Sequence, residues 1–124
     1  PALLTDRILA IPGAPHDWLF PRMAAVVHHG GAGTTAAGLT AGRPTVICPS
    51  TTDQPFWGWQ VHRLGVGPAP IPHRHLSAKR LAAAIRTATG DEAMQRRALA
   101  LGEQIRAEDG VGRAVAEILR RVGA

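Results

Sequence analysis

Cysteine occurs once, at position 48, so the chain cannot close a disulfide on itself and fits a reducing compartment. Cys48 lies in the apolar run 44–49 and reads as a small buried hydrophobe, not a reactive thiol. Lysine is single too: Lys79 apart, the positive side of the formal charge of +5 is all arginine. Those arginines are scattered, no aromatic side chains alternate with them to stack bases, and no zinc-finger spacing occurs. Nucleic acid is therefore not expected as a partner. No apolar run is long enough to cross a bilayer, and no basic start leads through an apolar stretch to a cleavage site. A cytoplasmic protein without a transmembrane segment is expected. Carboxylate clusters of the kind that hold magnesium are lacking, and His73-Arg74-His75 has no second ligand pair at suitable spacing. That tripeptide reads as a solvated loop, and neither metal nor cofactor is expected.

What is present is an alternation of short apolar runs and helical stretches within one domain's length of 124 residues. Residues 7–11 read as a strand ended by Pro12-Gly13, and Asp17 as the cap of a short helix over 18–23. Residues 24–28 form a continuous apolar run, the pattern of a strand buried on both faces of a parallel sheet. A small-residue helix over 34–41 follows, with Gly42 as its C-terminal cap and Arg43-Pro44 stopping it. Residues 45–48 read as a further strand, 53–64 as a helix closed by Gly65, and 66–71 as a weak, proline-crowded strand. Beyond them, Ser77, Gly90-Asp91 and Asp109-Gly110 mark the starts of three helices. Their apolar stripes (Leu81, Ile85, Ala88; Met94, Ala98, Leu101, Ile105; Val111, Val115, Ile118, Val122) all read as core contacts.

Strand–helix alternation implies an α/β fold with a parallel sheet, and ligands at the carboxyl ends of its strands. Three or four strands are few for such a domain, so the first strands are expected to be missing. The start on Pro1 suits a fragment or processed product.

The chemistry concentrates in His28-His29-Gly30-Gly31-Ala32-Gly33-Thr34-Thr35, where a strand turns through glycines into a helix. The first amides of a helix have no internal partner, and its dipole puts positive potential there. Glycines let the backbone approach a phosphate closely, and no acid competes in the first turn. Thr34, Thr35 and the imidazole of His29 add donors. Without a lysine after the glycines this is not a Walker-type loop. Gly31-x-Gly33-x-x-Ala36 with Asp53 also satisfies the dinucleotide fingerprint, so an NAD(P)-binding module of an oxidoreductase stays open. So do a non-catalytic nucleotide-binding module and a tight turn without a ligand.

Taken in order, Pro15-His16-Asp17-Trp18-Leu19-Phe20-Pro21, the glycine run, Gly42-Arg43-Pro44 and Asp53-Gln54-Pro55-Phe56-Trp57 closely resemble a known signature. It is the C-terminal signature of the UDP-glycosyltransferase superfamily, nearest to its sterol glucosyltransferase-like and bacterial antibiotic glycosyltransferase branch. The resemblance implies a partial Rossmann-like parallel sheet with flanking helices, the C-terminal portion of a GT-B donor-binding domain. Residues 1–124 would be that nucleotide-sugar domain, with the acceptor domain absent. The implied partners are a UDP-sugar substrate, an apolar hydroxyl-bearing acceptor and the protein's own N-terminal domain. That domain would carry the general base, so no catalytic base is expected in this chain. Carried over by position, His29 contacts and stabilises the diphosphate, while Gly31, Ala32, Gly33 and Thr34 hold the phosphates. Asp53 and Gln54 bind sugar hydroxyls, and the backbone around His16 pairs with the uracil edge. The plant tryptophan that stacks on uracil falls near Gly13 here, and the plant asparagine and ribose-binding glutamate fall at Gly33 and Ala37.

Overall fold

A computed structural model describes residues 7–123. In chain order its elements are α1 (His16–Leu19), a 3-10 turn (Phe20–Arg22), β1 (Val26–His28), α2 (Ala32–Thr40), β2 (Thr45–Ile47) and α3 (Gln54–Arg63). After a second 3-10 turn (His73–His75) come α4 (Ala78–Gly90), α5 (Glu92–Ala107) and α6 (Gly110–Val122). The two strands are parallel neighbours, Val26 opposite Thr45 and His28 opposite Ile47.

β2 is the centre of the molecule. All three of its residues are buried, as the continuous apolar run requires. Successive side chains point to opposite faces of a strand, so Val46 and Ile47 enter different clusters. Val46 packs with Ile71, Ala84 and Ala88, while Ile47 packs with Val61, Val66 and Ala98. Helix α4 thus covers one face and α3 with α5 the other. Cys48 joins the first cluster, and burial raises its thiol pKa, as expected of a packed cysteine. α5 also closes on the end of α2, where Arg106 donates to the Thr40 carbonyl. Gly42 and Gly65, at φ +69° and +68°, end α2 and α3 where the sequence placed their caps.

Five expectations need correction. Asp17 caps no helix over 18–23: α1 starts at His16 after Pro15 with no side-chain cap bond, and Asp17 Oδ1 accepts only from its neighbour Trp18 N–H. Residues 8–11 form no strand: Ile8, Leu9 and Ile11 are exposed, because no neighbouring strand pairs with them among the described residues. β1 is not buried on both faces either, since Val27 is 45% exposed. The 66–71 segment runs beside β2 without becoming a strand. Thr45 N–H donates to Val66 C=O and Ile71 N–H to Ile47 C=O, both at 3.0 Å. Between them Pro68 and Pro70 have no N–H to extend a ladder. The largest departure is α6, none of whose described residues is buried: along its apolar stripe Val111 is 79% and Ile118 59% exposed. The α5 stripe does reach the core through Met94 and Ala98, and that of α4 through Ala88 and the partly buried Leu81, while Ile85 is exposed and Ala84 takes the buried place.

Candidate functional site

Both strands deliver the chain to the same end of the sheet, and the two turns found there differ in chemistry. Leaving β1, Gly30 takes φ +95°, a left-handed conformation suited to glycine. A Cβ at this position would lie 2.6 Å from Ile47 Cγ2, so the turn is pressed onto β2. His28 shapes it: Nδ1 accepts from Gly30 N–H at 2.9 Å, which requires the neutral ring with its proton on Nε2. Burial, then the neighbouring His29 and His16, lower the His28 pKa to about 4, which keeps it in that form.

His29 is exposed, and its ring folds over the start of α2, with Nε2 2.7 Å from where a Gly31 Cβ would stand. The first helical bond of α2 is Thr35 N–H to Gly31 C=O at 2.9 Å, so the amides of Ala32, Gly33 and Thr34 precede it. No side chain caps them, and no acid lies in the first turn. Above Gly33 nothing stands within 4 Å of a would-be Cβ. The turn therefore presents open amides, positive dipole potential and an imidazole together, which suits an anion.

The turn after β2 is built from side chains instead. Gln54 Oε1 accepts from Ser50 N–H at 2.8 Å and Thr51 N–H at 3.2 Å. Those amides occupy both lone pairs, leaving Gln54 its Nε2 donors for a ligand. Thr52 sits at φ +55°, strained for a β-branched residue. Asp53 is exposed and does not cap α3 with its side chain. Its Oδ2 instead accepts from the Trp57 indole at 2.9 Å and its Oδ1 from Thr52 Oγ1 at 3.2 Å. The Trp57 bond is the main reason its carboxyl pKa is lowered, and the His29 charge also contributes.

The segments singled out in the sequence thus converge. Asp53 lies near enough to His29 for their charges to interact, and the Gln54 carbonyl is 3.2 Å from the would-be Gly30 Cβ. His16 stacks on Phe20 at 4.3 Å and lies close enough to His28 to lower its pKa. His73, Arg74 and His75 form an exposed turn, and no group of three potential metal ligands occurs among the described residues. Two contributors were missed. His28 is legible as a ring two residues before a left-handed glycine, and Trp57 as an indole one helical turn after an acid.

Known proteins similar to this chain are glycosyltransferases. The chain is 52% identical over 110 residues to a sterol 3-beta-glucosyltransferase of Arabidopsis thaliana, covering 89% of this chain and 17% of that protein. Against O-mycaminosyltylonolide 6-deoxyallosyltransferase of Streptomyces fradiae the identity is 48% over 108 residues, 87% of this chain and 26% of that enzyme. This chain therefore spans about a sixth to a quarter of those two relatives. Among solved structures, the glycotransferase of kitacinnamycin superposes with a TM-score of 0.79 at 31% identity over 87% of this chain and 28% of that one. Glycosyltransferase VinC, solved in complex with DTDP, gives 0.86 at 26% identity over 96% of this chain and 30% of its own. The α/β fold expected from the sequence, a parallel sheet with flanking helices like that of GT-B glycosyltransferases, is thereby supported. Residues 3–121 match the family described as erythromycin biosynthesis protein CIII-like, C-terminal domain, and the chain belongs to that family.

Proposed function

We propose that this chain binds the UDP-sugar donor of an inverting glycosyltransferase, and that the whole protein moves a hexose to a hydroxyl of an apolar acceptor such as a sterol or polyketide. The observation that carries the reading is the uncapped start of α2 at the carboxyl end of a parallel strand, with His29 over it. A departing diphosphate accumulates negative charge, and preorganised amides with the imidazole of His29 stabilise it. The amides of Gly31, Ala32, Gly33 and Thr34 hold the phosphates, the backbone near His16 faces the uracil edge, and Asp53 with Gln54 takes the sugar. The acceptor hydroxyl loses its proton to a base outside this chain and attacks the anomeric carbon as the bond to the diphosphate breaks. UDP-sugar is a substrate here, and no cofactor or metal enters the proposal. The kinship with glycosyltransferases supports this reading over a dinucleotide-dependent oxidoreductase. A cytoplasmic location belongs to the same reading and is supported by the single, packed thiol. Among the described residues, no helix is long and apolar enough to cross a membrane.

Thermal unfolding of the intact protein tests this. A ligand selective for the native state raises its melting temperature, so UDP should stabilise it and NAD should do much less. Equal stabilisation by both would remove the preference for a glycosyltransferase. Residues 1–124 alone should transfer no sugar, having neither the base nor an acceptor surface.

A further inference from the structure

Trp57 joins two parts of the molecule. One side of it packs against the buried cluster of Ile47, Val61, Val66 and Ala98, while its N–H reaches the exposed carboxylate of Asp53. An indole is a donor only, with one N–H to give. Committed to Asp53 at 2.9 Å, that N–H is not available to a ligand. A free carboxylate at a loop-to-helix junction samples several rotamers. Here both oxygens are held, Oδ2 by Trp57 and Oδ1 by Thr52, while the side chain stays exposed. Two parallel acceptor positions about a carboxylate's width apart suit two adjacent hydroxyls. The loop that carries Asp53 is itself fixed, because Gln54 Oε1 ties the amides of Ser50 and Thr51.

We propose that Trp57 is a positioning residue for sugar recognition, its indole N–H holding the Asp53 carboxylate so that it accepts from vicinal hydroxyls of a hexose. The assignment rests on the donor-binding reading given above. It goes further in making sugar specificity depend on a side chain that contacts no sugar hydroxyl. Phenylalanine retains much of the ring that packs on the core and lacks the N–H, so W57F isolates the hydrogen bond.

Titration of the intact protein with UDP and with UDP-glucose is the test. W57F should leave UDP affinity within about twofold and weaken UDP-glucose roughly tenfold, the scale of one hydrogen bond to a charged group. In a D53A background the same change should add nothing, because no acceptor is left for the indole to hold. The Asp53 carboxyl, followed by NMR, should titrate at higher pH in W57F than in the wild type. Unchanged UDP-glucose binding in W57F would overturn the assignment, and so would equal weakening of both ligands, which marks a purely structural role. Should W57F fail to fold, D53A at its exposed site decides: undiminished UDP-glucose affinity there means the carboxylate is not used, and the assignment falls. A wild-type protein that does not bind UDP would instead overturn the donor reading, and the assignment with it.

Discussion

The helices at the carboxyl end of the sheet begin differently from those that follow. α4, α5 and α6 each start on a side chain that accepts an early amide: Ser77 from Arg80 at 3.2 Å, Asp91 from Met94 at 2.9 Å and Asp109 from Gly112 at 2.9 Å. α2 and α3 have no such bond. A cap is worth about 1 kcal/mol, so two helices forgo a stabilisation that three others take. The reason differs between the two. At α2 the cap position is Gly31, which has no side chain to give, so the early amides stay open to an anion. At α3 an acid stands at the cap, but its backbone is helical, a proline follows in the first turn, and its oxygens bond Trp57 and Thr52 instead. One turn thus offers donors to an anion, the other an acceptor to hydroxyls.

The strongest way to break this contrast is His29→Ala in the intact protein. The side chain is exposed, so melting temperature should hardly move, while turnover should fall roughly a hundredfold through loss of a donor to developing charge. Full activity would remove His29 from the site. Next comes His28→Ala, which leaves the Gly30 amide without its partner and should cost about 2 kcal/mol of stability. Here pH supplies a signature. The folded pKa of about 4 lies below the ordinary 6.5, so the unfolded chain binds the extra proton first. This contribution is fully present above pH 6.5 and is lost as pH falls towards 4. Urea unfolding across that window should show a shallower pH dependence in the variant, and identical slopes would count against the assigned tautomer.

How far the sequence announces each region follows the same division. The glycine turn is legible because its constraints are local: Gly30 needs a left-handed backbone, and an empty first turn is visible as residues. The three capped helices are legible for the same reason, each beginning at a residue whose side chain accepts from the amide three residues on. Long-range facts are harder to see. Nothing in the spacing of Val111, Val115, Ile118 and Val122 says whether a partner surface exists, and on α6 none is described. The run 24–28 likewise reads as doubly buried, yet burial of Val27 depends on what covers it rather than on its own pattern. Asp53 illustrates the remaining ambiguity. Its position alone suits both a helix cap and a sugar ligand, and the Trp57 bond speaks only against the cap.

Gly33→Asp sharpens the contrast by giving α2 the acid it lacks. Space above Gly33 is free and its φ is not positive, so the side chain fits. An acid in the first turn favours the helix, and replacing glycine restricts the unfolded chain, together adding about 0.5–1 kcal/mol of stability. The same carboxylate would stand against the diphosphate and should weaken UDP binding about tenfold or more by like-charge repulsion. Higher melting temperature with poorer binding is the expected pair. Unimpaired UDP affinity would place the phosphates elsewhere.

Asp91→Ala gives the smallest effect and completes the test from the other side. Asp91 ends α4 and begins α5, accepting from Met94 N–H, and Met94 is buried against the core. Removing the carboxylate frees one amide at the start of α5 and weakens its favourable interaction with the dipole, a loss of about 1 kcal/mol. α5 packs on the end of α2 remote from the glycine turn, where Arg106 meets Thr40 and Gly102 meets Gly42. A rigid loss of cap energy there should not reach the amides of Ala32–Thr34. Melting temperature should therefore fall while UDP affinity stays within twofold, the reverse of the Gly33→Asp pair in stability and without its effect on binding. Measured together by thermal unfolding and titration, the two variants separate capping for stability from amides left open for a ligand. If Asp91→Ala weakened UDP binding as much as Gly33→Asp, the open start of α2 would be responding to general destabilisation, and the distinction between the two sets of helices would not hold.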